Sequence, residues 1–306
     1  MWNLPYTVKF KEEFDYFLLE KAINLTIEKN DALRLRFLEI EGEPKQYISE
    51  YKYEKIDYFN FTGKELEEKK WITKKSQSHF NIIENALFYF AILKFSSEKS
   101  GFYMNVHHII ADGSSVALII QQICDFYYAL KEGKEIGSQK KPSYIDFIKI
   151  ENDYLNSDRL KRDKEFWDKE LSEVPPPLDI KSFKLSKSIE TERKTFLLPE
   201  DLSRELYKFC KENKTSIFRI FLSAFYTYAM RITGKTDIVV GTAYHNRLEE
   251  VSKNTVGMYT SVPPFKIDAG NVEFRTVLTE VRKKLKSIDK HQRCPYEFLL
   301  RDIKAK

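Results

Sequence analysis

Residues Asn105 to Ser115 read NVHHIIADGSS and hold the densest cluster of reactive groups in the chain: His107, His108, Asp112 and Gly113. The run leading into it, Phe102 to His108, has strand character. Neighbouring side chains of a strand point to opposite faces, so Phe102, Met104, Val106 and His108 share one face while Tyr103, Asn105 and His107 share the other. Only one of the two histidines can therefore face a given cleft. Beyond the cluster, Val116, Ile119, Ile120, Ile123, Phe126/Tyr127 and Leu130 recur at helical spacing, starting at Ser114 and Ser115, which are good N-caps. The cluster thus lies between a strand and a helix. There Gly113 permits positive φ or the close approach of another chain, and Asp112 can cap the helix or pair with a buried arginine. A lone histidine at a strand end is ordinarily just half-buried; the whole constellation is what singles this turn out.

Upstream, SSEKSG (Ser96 to Gly101) is turn chemistry, so Phe102 to His108 is expected to pair back on the apolar run around Ala86 to Phe95, a central strand. Asn3 to Phe10 reads as another strand, and Phe14, Phe17/Leu18, Ala22 and Leu25 as a helix ending near Asn30. Leu33, Leu35 and Phe37 then alternate with Arg34 and Arg36, which places both arginines on a strand, ahead of a polar stretch with short strand-like pieces from Glu41 to about Lys75. Downstream, a helical region runs from Tyr144 to about Leu171 and is broken by Pro175 to Pro177, the expected domain boundary. A second cycle follows: a strand at Lys194 to Leu198, helices from Leu202 to Cys210 and Ser216 to Ile232, strands at Asp237 to Thr242 and Met258 to Ile267, and a helix through Phe274, Val281 and Ile288. The two halves, 1–174 and 175–306, look alike in element order. Both mix strands and helices, which is the α/β class.

Composition narrows the function. The 306 residues are 42% apolar and 14% aromatic, enough for one large or two medium domains with their own cores. The net charge of +5 is spread over 51 Lys+Arg and 46 Asp+Glu with no one-sided run, so neither nucleic acid nor an anionic membrane is an expected partner. The longest wholly apolar run, Ala86 to Leu93, is far below the roughly 20 residues that span a bilayer. The start lacks a basic-then-apolar leader, so a soluble, cytoplasmic protein is expected. Three widely spaced cysteines, Cys124, Cys210 and Cys294, support neither a disulfide framework nor a zinc site. His245 and His291 have no cysteine or carboxylate at ligand spacing, so no metal is expected. TGKTD (Thr233 to Asp237) echoes a phosphate loop, but Ala229 stands where its upstream glycine is required.

The cluster resembles the HHxxxDG motif of condensation domains of non-ribosomal peptide synthetases and their chloramphenicol-acetyltransferase-like relatives. The likeness continues along the chain. KNDALRLRF (Lys29 to Phe37) resembles RHExLRTxF, and SYIDFIKIE (Ser143 to Glu151) resembles YxDYAxW. DIVVGTAYHNR (Asp237 to Arg247) is similar to DxVxGxPxxxR, VGMYTSVPPF (Val256 to Phe265) to IGxFVNTxPxR, and HQRCPYEFLL (His291 to Leu300) to HQxxPFExLL. Segments like the family's first motif, SxAQxRLWFL, and its last, RDxSRNPL, are absent, so a fragment, a split gene product or a degraded copy is expected.

The resemblance implies a pseudodimer of two acetyltransferase-like α/β subdomains, each an α+β two-layer sandwich, with the active site in a tunnel between them. It implies amide formation between two thioesters carried on the phosphopantetheine arms of upstream and downstream peptidyl carrier proteins, with an adenylation domain as a further neighbour and no cofactor held by the domain. It makes His108 the general base or the group that holds the amine in line, with the Gly113 N–H and the helix dipole near the developing oxyanion. His107 would orient the loop from the opposite face, and Asp112 would pair with Arg247 or Arg34. Tyr259 and Ser261 stand where Phe and Asn are usual and would line the tunnel. Tyr144 and Asp146 read as helix-packing and cap residues. The alternatives are an acyltransferase acting on an alcohol or small amine, and a recruiting or docking module without catalysis. Heterocyclising relatives, which carry paired aspartates, are disfavoured by His107 and His108, and epimerising ones by Ser114 and Ser115.

Overall fold

A computed structural model describes residues 2–137, 142–176, 178, 180, 194–270 and 272–304. Its elements in chain order are β1 (Asn3–Lys9), α1 (Tyr16–Lys29), a 3-10 turn (Asp31–Arg34), β2 (Leu35–Ile40), β3 (Glu43–Ile48), β4 (Asp57–Asn60), α2 (Glu65–Ser76), β5 (Phe88–Ser96), β6 (Lys99–His107) and α3 (Gly113–Lys131). There follow α4 (Tyr144–Leu155), α5 (Asp158–Glu170), α6 (Glu200–Glu212), α7 (Ile217–Thr233), β7 (Asp237–Gly241), α8 (Glu250–Lys253), β8 (Pro264–Asp268), α9 (Phe274–His291) and α10 (Tyr296–Lys304). The class is mixed α/β. No helix among the described residues is long and apolar enough to cross a membrane.

Two compact units are present: residues 1–156 with 245–260, and residues 157–244 with 261–306. The sequence-based boundary at 174/175 rests on the proline run, whose last member, Pro177, lies outside the described residues. The first unit is built on a four-stranded sheet in the order β1-β6-β5-β4, with β6 antiparallel to both neighbours and β4 parallel to β5. Strand alternation decides its two faces. Phe90, Ile92, Phe102, Met104 and Val106 pack with Leu19 and Ile23 of α1 and Ile119 and Ile123 of α3. Ala91, Leu93 and Tyr103 point the other way, against Phe61 and the α2 residues Trp71 and Ile72. The second unit packs Trp167 of α5, Tyr226 and Ala229 of α7, and Val277, Val281 and Leu285 of α9 against Phe265 and Ile267 of the antiparallel β7–β8 pair.

Several elements differ from the sequence reading for identifiable reasons. The expected strand Lys194 to Leu198 is not one: residues 194–198 carry no strand structure, and Phe196 and Leu197 are 83% and 93% accessible. The strand expected over Met258 to Ile267 forms only from Pro264; Pro263 has no N–H to give a ladder, and the Tyr259 N–H is spent on Asp112. The helical region from Tyr144 to Leu171 is two helices, because Ser157 starts the second, its side chain accepting from the Leu160 N–H at 3.4 Å. Arg34 closes the 3-10 turn rather than lying on a strand. The polar stretch before Lys75 contains α2, whose apolar packing comes from Trp71 and Ile72 and whose buried Glu68 pairs with Lys9 at 2.5 Å.

Candidate active site

β6 ends at His107, and the chain turns through residues 108–111 before α3 begins. The N-cap of α3 is Asp112, with extended backbone (φ −111°, ψ −178°) and Oδ1 accepting from the Ser115 N–H at 2.8 Å. Ser114 and Ser115, read as caps from sequence, therefore lie inside the helix. Asp112 is only 1% exposed and forms an ion pair with Arg247, whose Nη2 lies 2.9 Å from Oδ1. Its other oxygen accepts from the Tyr259 N–H at 3.2 Å. Arg247 Nη1 donates to the carbonyls of Ser252 and, at 2.7 Å, Thr255. The guanidinium lies 4.0 Å from the centre of the Tyr259 ring. A buried carboxylate so surrounded by donors has its charge matched and its lone pairs filled, the condition under which a buried ion pair is tolerated.

The sequence offered Arg247 and Arg34 as partners for Asp112, and Arg247 is the one in place. Arg34 is held on the β2–β3 hairpin, donating from Nη1 to the Ser49 carbonyl at 2.8 Å. With Arg36 it lines a cavity of about 500 Å³ together with Tyr47, Glu54 and Glu84.

The two histidines differ in surroundings. The His108 backbone N–H donates to the Trp2 carbonyl at 2.7 Å, and its ring meets the Trp2 indole edge-on at 6.5 Å. His108 Nδ1 is buried and has no hydrogen-bond partner among the described residues. His107 Nδ1 accepts from the Ile109 N–H at 3.1 Å, and its ring sits edge-on to Phe80. Burial, followed by the neighbouring His108, holds the His107 pKa below the ordinary histidine value. Gly113 has neither positive φ nor a crowding neighbour: a Cβ there would meet nothing within 4 Å. The conformational reason inferred for this glycine is thus corrected. At the rim, Ser114 Oγ lies 3.3 Å from His245 Nδ1.

Three residues that the sequence did not assign to the site help to build it. Ser115 Oγ donates to the Gly257 carbonyl at 2.6 Å and accepts from the Gly257 N–H at 2.9 Å and from Arg247 Nη2 at 2.7 Å. Gly257 has no room for a side chain, since a Cβ would sit 2.2 Å from the Tyr144 ring. Tyr144, read as a packing residue, also donates from its hydroxyl to the Met258 carbonyl at 2.8 Å. The only signal in the sequence was that Tyr144 and Gly257 fall within resembling segments. Tyr259 is buried against Phe147, ring centres 4.3 Å apart, and burial pushes its phenol up to about 12. Ser261 belongs to the second unit, where its hydroxyl donates to the Gln292 carbonyl at 3.3 Å. His291 does have a carboxylate neighbour, Asp163 Oδ1 at 2.7 Å, brought from 128 residues away in sequence. No group of three or more potential metal ligands occurs among the described residues.

His108 thus stands in a strand-turn-helix of a mixed α/β fold, with a buried Asp112–Arg247 pair at the helix N-cap behind the turn. The condensation-domain family model matches residues 1–306, and the chain belongs to that family. It is 33% identical over 310 residues to a plipastatin synthase protein of Bacillus subtilis (strain 168), covering 99% of this chain and 12% of that protein. It is 32% identical over 300 residues to surfactin synthase subunit 1 of the same organism, covering 96% of this chain and 8% of that protein. The chain thus spans only a small part of these synthases. Among solved structures, the first condensation domain of the calcium-dependent antibiotic synthetase, in complex with a substrate analogue, superposes with a TM-score of 0.89 at 20% identity, over 99% of this chain and 72% of that one. A mutant starter condensation domain of rhizomide synthetase, in complex with C8-CoA, gives 0.83 at 21% identity over 99% and 69%.

Proposed function

We propose that this chain catalyses amide formation between two carrier-bound thioesters in non-ribosomal peptide synthesis. The free α-amine of an aminoacyl thioester on the downstream carrier attacks the carbonyl carbon of an acyl or aminoacyl thioester on the upstream carrier. A C–N bond forms, the C–S bond breaks, and the proton lost by the amine ends on the departing thiolate. The acyl chain thereby moves to the downstream carrier. The observation that carries this reading is the His108 turn, held against a buried Asp112–Arg247 pair in a chain of the condensation-domain family.

The amine must be neutral to attack, and an α-amino group has a pKa of about 7.7 to 8.0, so a sizeable minority is already neutral near pH 7. A strong base is therefore unnecessary. With Nδ1 buried, His108 Nε2 is the nitrogen that takes a hydrogen bond from the amine, holding it in line with the carbonyl and accepting its proton as the C–N bond forms. The Gly113 N–H, at the positive end of the 19-residue α3, stabilises the oxyanion. His107 steadies the turn through the Ile109 N–H. Both substrates arrive on phosphopantetheine, and no resident cofactor takes part. Adenylation domains load the carriers at the expense of ATP, and a cytoplasmic setting follows from that supply.

The test is a single-turnover assay with a donor thioester carrier and an acceptor aminoacyl carrier, comparing the wild type with His108→Ala by the mass of the carrier-bound product. Amide product from the wild type, reduced about 10²- to 10⁴-fold in the variant, is expected. Equal product from both would remove His108 from the chemistry, and none from a folded wild type would leave a non-catalytic docking module.

A further inference from the structure

We infer that Ser115 is a positioning residue for His108, acting as the joint through which residues 245–260 fix the histidine turn. The inference rests on the proposed chemistry for its rate effect and on the geometry alone for its structural effect. A serine hydroxyl has one donor and two acceptor sites, and in Ser115, which is fully buried, all three are used. It satisfies both the carbonyl and the N–H of Gly257, as a β-bridge partner would. Its third bond is to the same Arg247 nitrogen that pairs with Asp112, so the hydroxyl sets where that nitrogen sits between Ser115 and Asp112.

The surroundings leave this joint little freedom to shift. The Tyr144 ring covers Gly257 so closely that no Cβ would fit. Tyr259, next to the Asp112 carboxylate, is packed against Phe147 and Tyr144. From Asp112 back to His108 the chain passes through Ala111 and Ile110, both fully buried, and then Ile109, which is 40% exposed but has its N–H held by His107 Nδ1 at 3.1 Å. Close-packed interiors transmit displacements rather than absorb them. Loss of the Ser115 hydroxyl would leave the buried Gly257 N–H and carbonyl unsatisfied and free the Arg247 nitrogen to reorient. Asp112 would follow, and His108 with it. A misplacement of about 1 Å can cost about 10²-fold in rate.

The experiment compares Ser115→Ala and Ser115→Cys with Ser223→Ala. The control deletes a fully buried hydroxyl from α7 in the second unit, where Ser223 Oγ donates to the Arg219 carbonyl at 2.7 Å. Thermal midpoints and folded fractions are measured first, then single-turnover rates at saturating carrier concentrations. In parallel, ring signals of ¹⁵N-histidine are recorded, with His108 assigned by its loss in His108→Gln. The expected result is a rate about 10- to 100-fold lower for Ser115→Ala, unchanged half-saturation for either carrier, partial recovery in Ser115→Cys, and a moved His108 signal; Ser223→Ala keeps both rate and signal. A rate that falls only with the folded fraction, or a His108 signal that stays in place, overturns the assignment. If the wild type yields no amide, the proposed function fails by itself, and the His108 signal alone decides the role of Ser115.

Discussion

At Gly113 an added Cβ would meet no protein atom within 4 Å, and the backbone there is open to any residue. The fold therefore does not demand glycine at the first position of α3. If the space belongs to the reacting thioester, Gly113→Ala should separate folding from activity. Its stability should be unchanged or higher by up to about 1 kcal/mol, the helix-propensity difference between Ala and Gly, while the single-turnover rate falls about tenfold or more as the methyl displaces the carbonyl from the N–H. A thermal melt together with the carrier assay checks both halves. A variant with full activity would show that the space above the helix is not used by substrate. The same residue marks what sequence could convey: that a glycine opens the helix after a histidine turn was legible, but its reason was not. Conformational need and substrate clearance favour the same residue type, and only coordinates separate them.

At the scale of elements, legibility followed the strength of local pattern. β5 and β6 could be read because each alternates between two buried faces and a turn signal lies between them. α3 could be read from its apolar stripe. The segment Lys194 to Leu198 has the composition of a strand but does not form one, since strand pairing is a non-local property. Arg247 and Asp112 are 135 residues apart in sequence, so no local period could choose Arg247 over Arg34. One glycine of the central sheet is a requirement of register. Gly101 faces Lys9 in the β1–β6 pair, and a Cβ there would lie 1.9 Å from the Val8 carbonyl oxygen. Gly101→Ala must push β1 away from β6. The expected loss is at the upper end of the roughly 1 to 3 kcal/mol typical of overpacking, or beyond it, because the obstacle is backbone. Urea unfolding measures this, and faster hydrogen exchange in β1 than in β4 would place the damage. A loss below half a kilocalorie per mole would mean that the strands separate freely at this point.

At the scale of the whole chain, the first compact unit is not a contiguous stretch of sequence: residues 245–260, from the later half, are part of it. They supply Arg247 to Asp112, Gly257 to Ser115, and Val256 and Tyr259 to the same core as α1 and α3. A fragment ending at Asn156 would keep every strand of the four-stranded sheet but lack all of these. Removing one partner of a buried ion pair costs about 3 to 5 kcal/mol, a large share of the roughly 5 to 15 kcal/mol that holds a domain folded. Uncovering Tyr144 and Phe147 adds to that loss. Residues 1–156 alone should therefore retain helical far-ultraviolet signal but show weakened near-ultraviolet signal and a broadened thermal transition. A peptide of residues 245–260 added in trans should restore the sharp transition, and the same peptide with Arg247→Ala should not. Asp112→Asn within the fragment should recover part of the loss without any peptide, because it removes the uncompensated charge while leaving a side chain able to cap α3. If 1–156 instead melts as sharply as the full chain and ignores the peptide, the Asp112–Arg247 pair contributes nothing to the unit's folding. Its burial would then serve only to place the turn that carries His108.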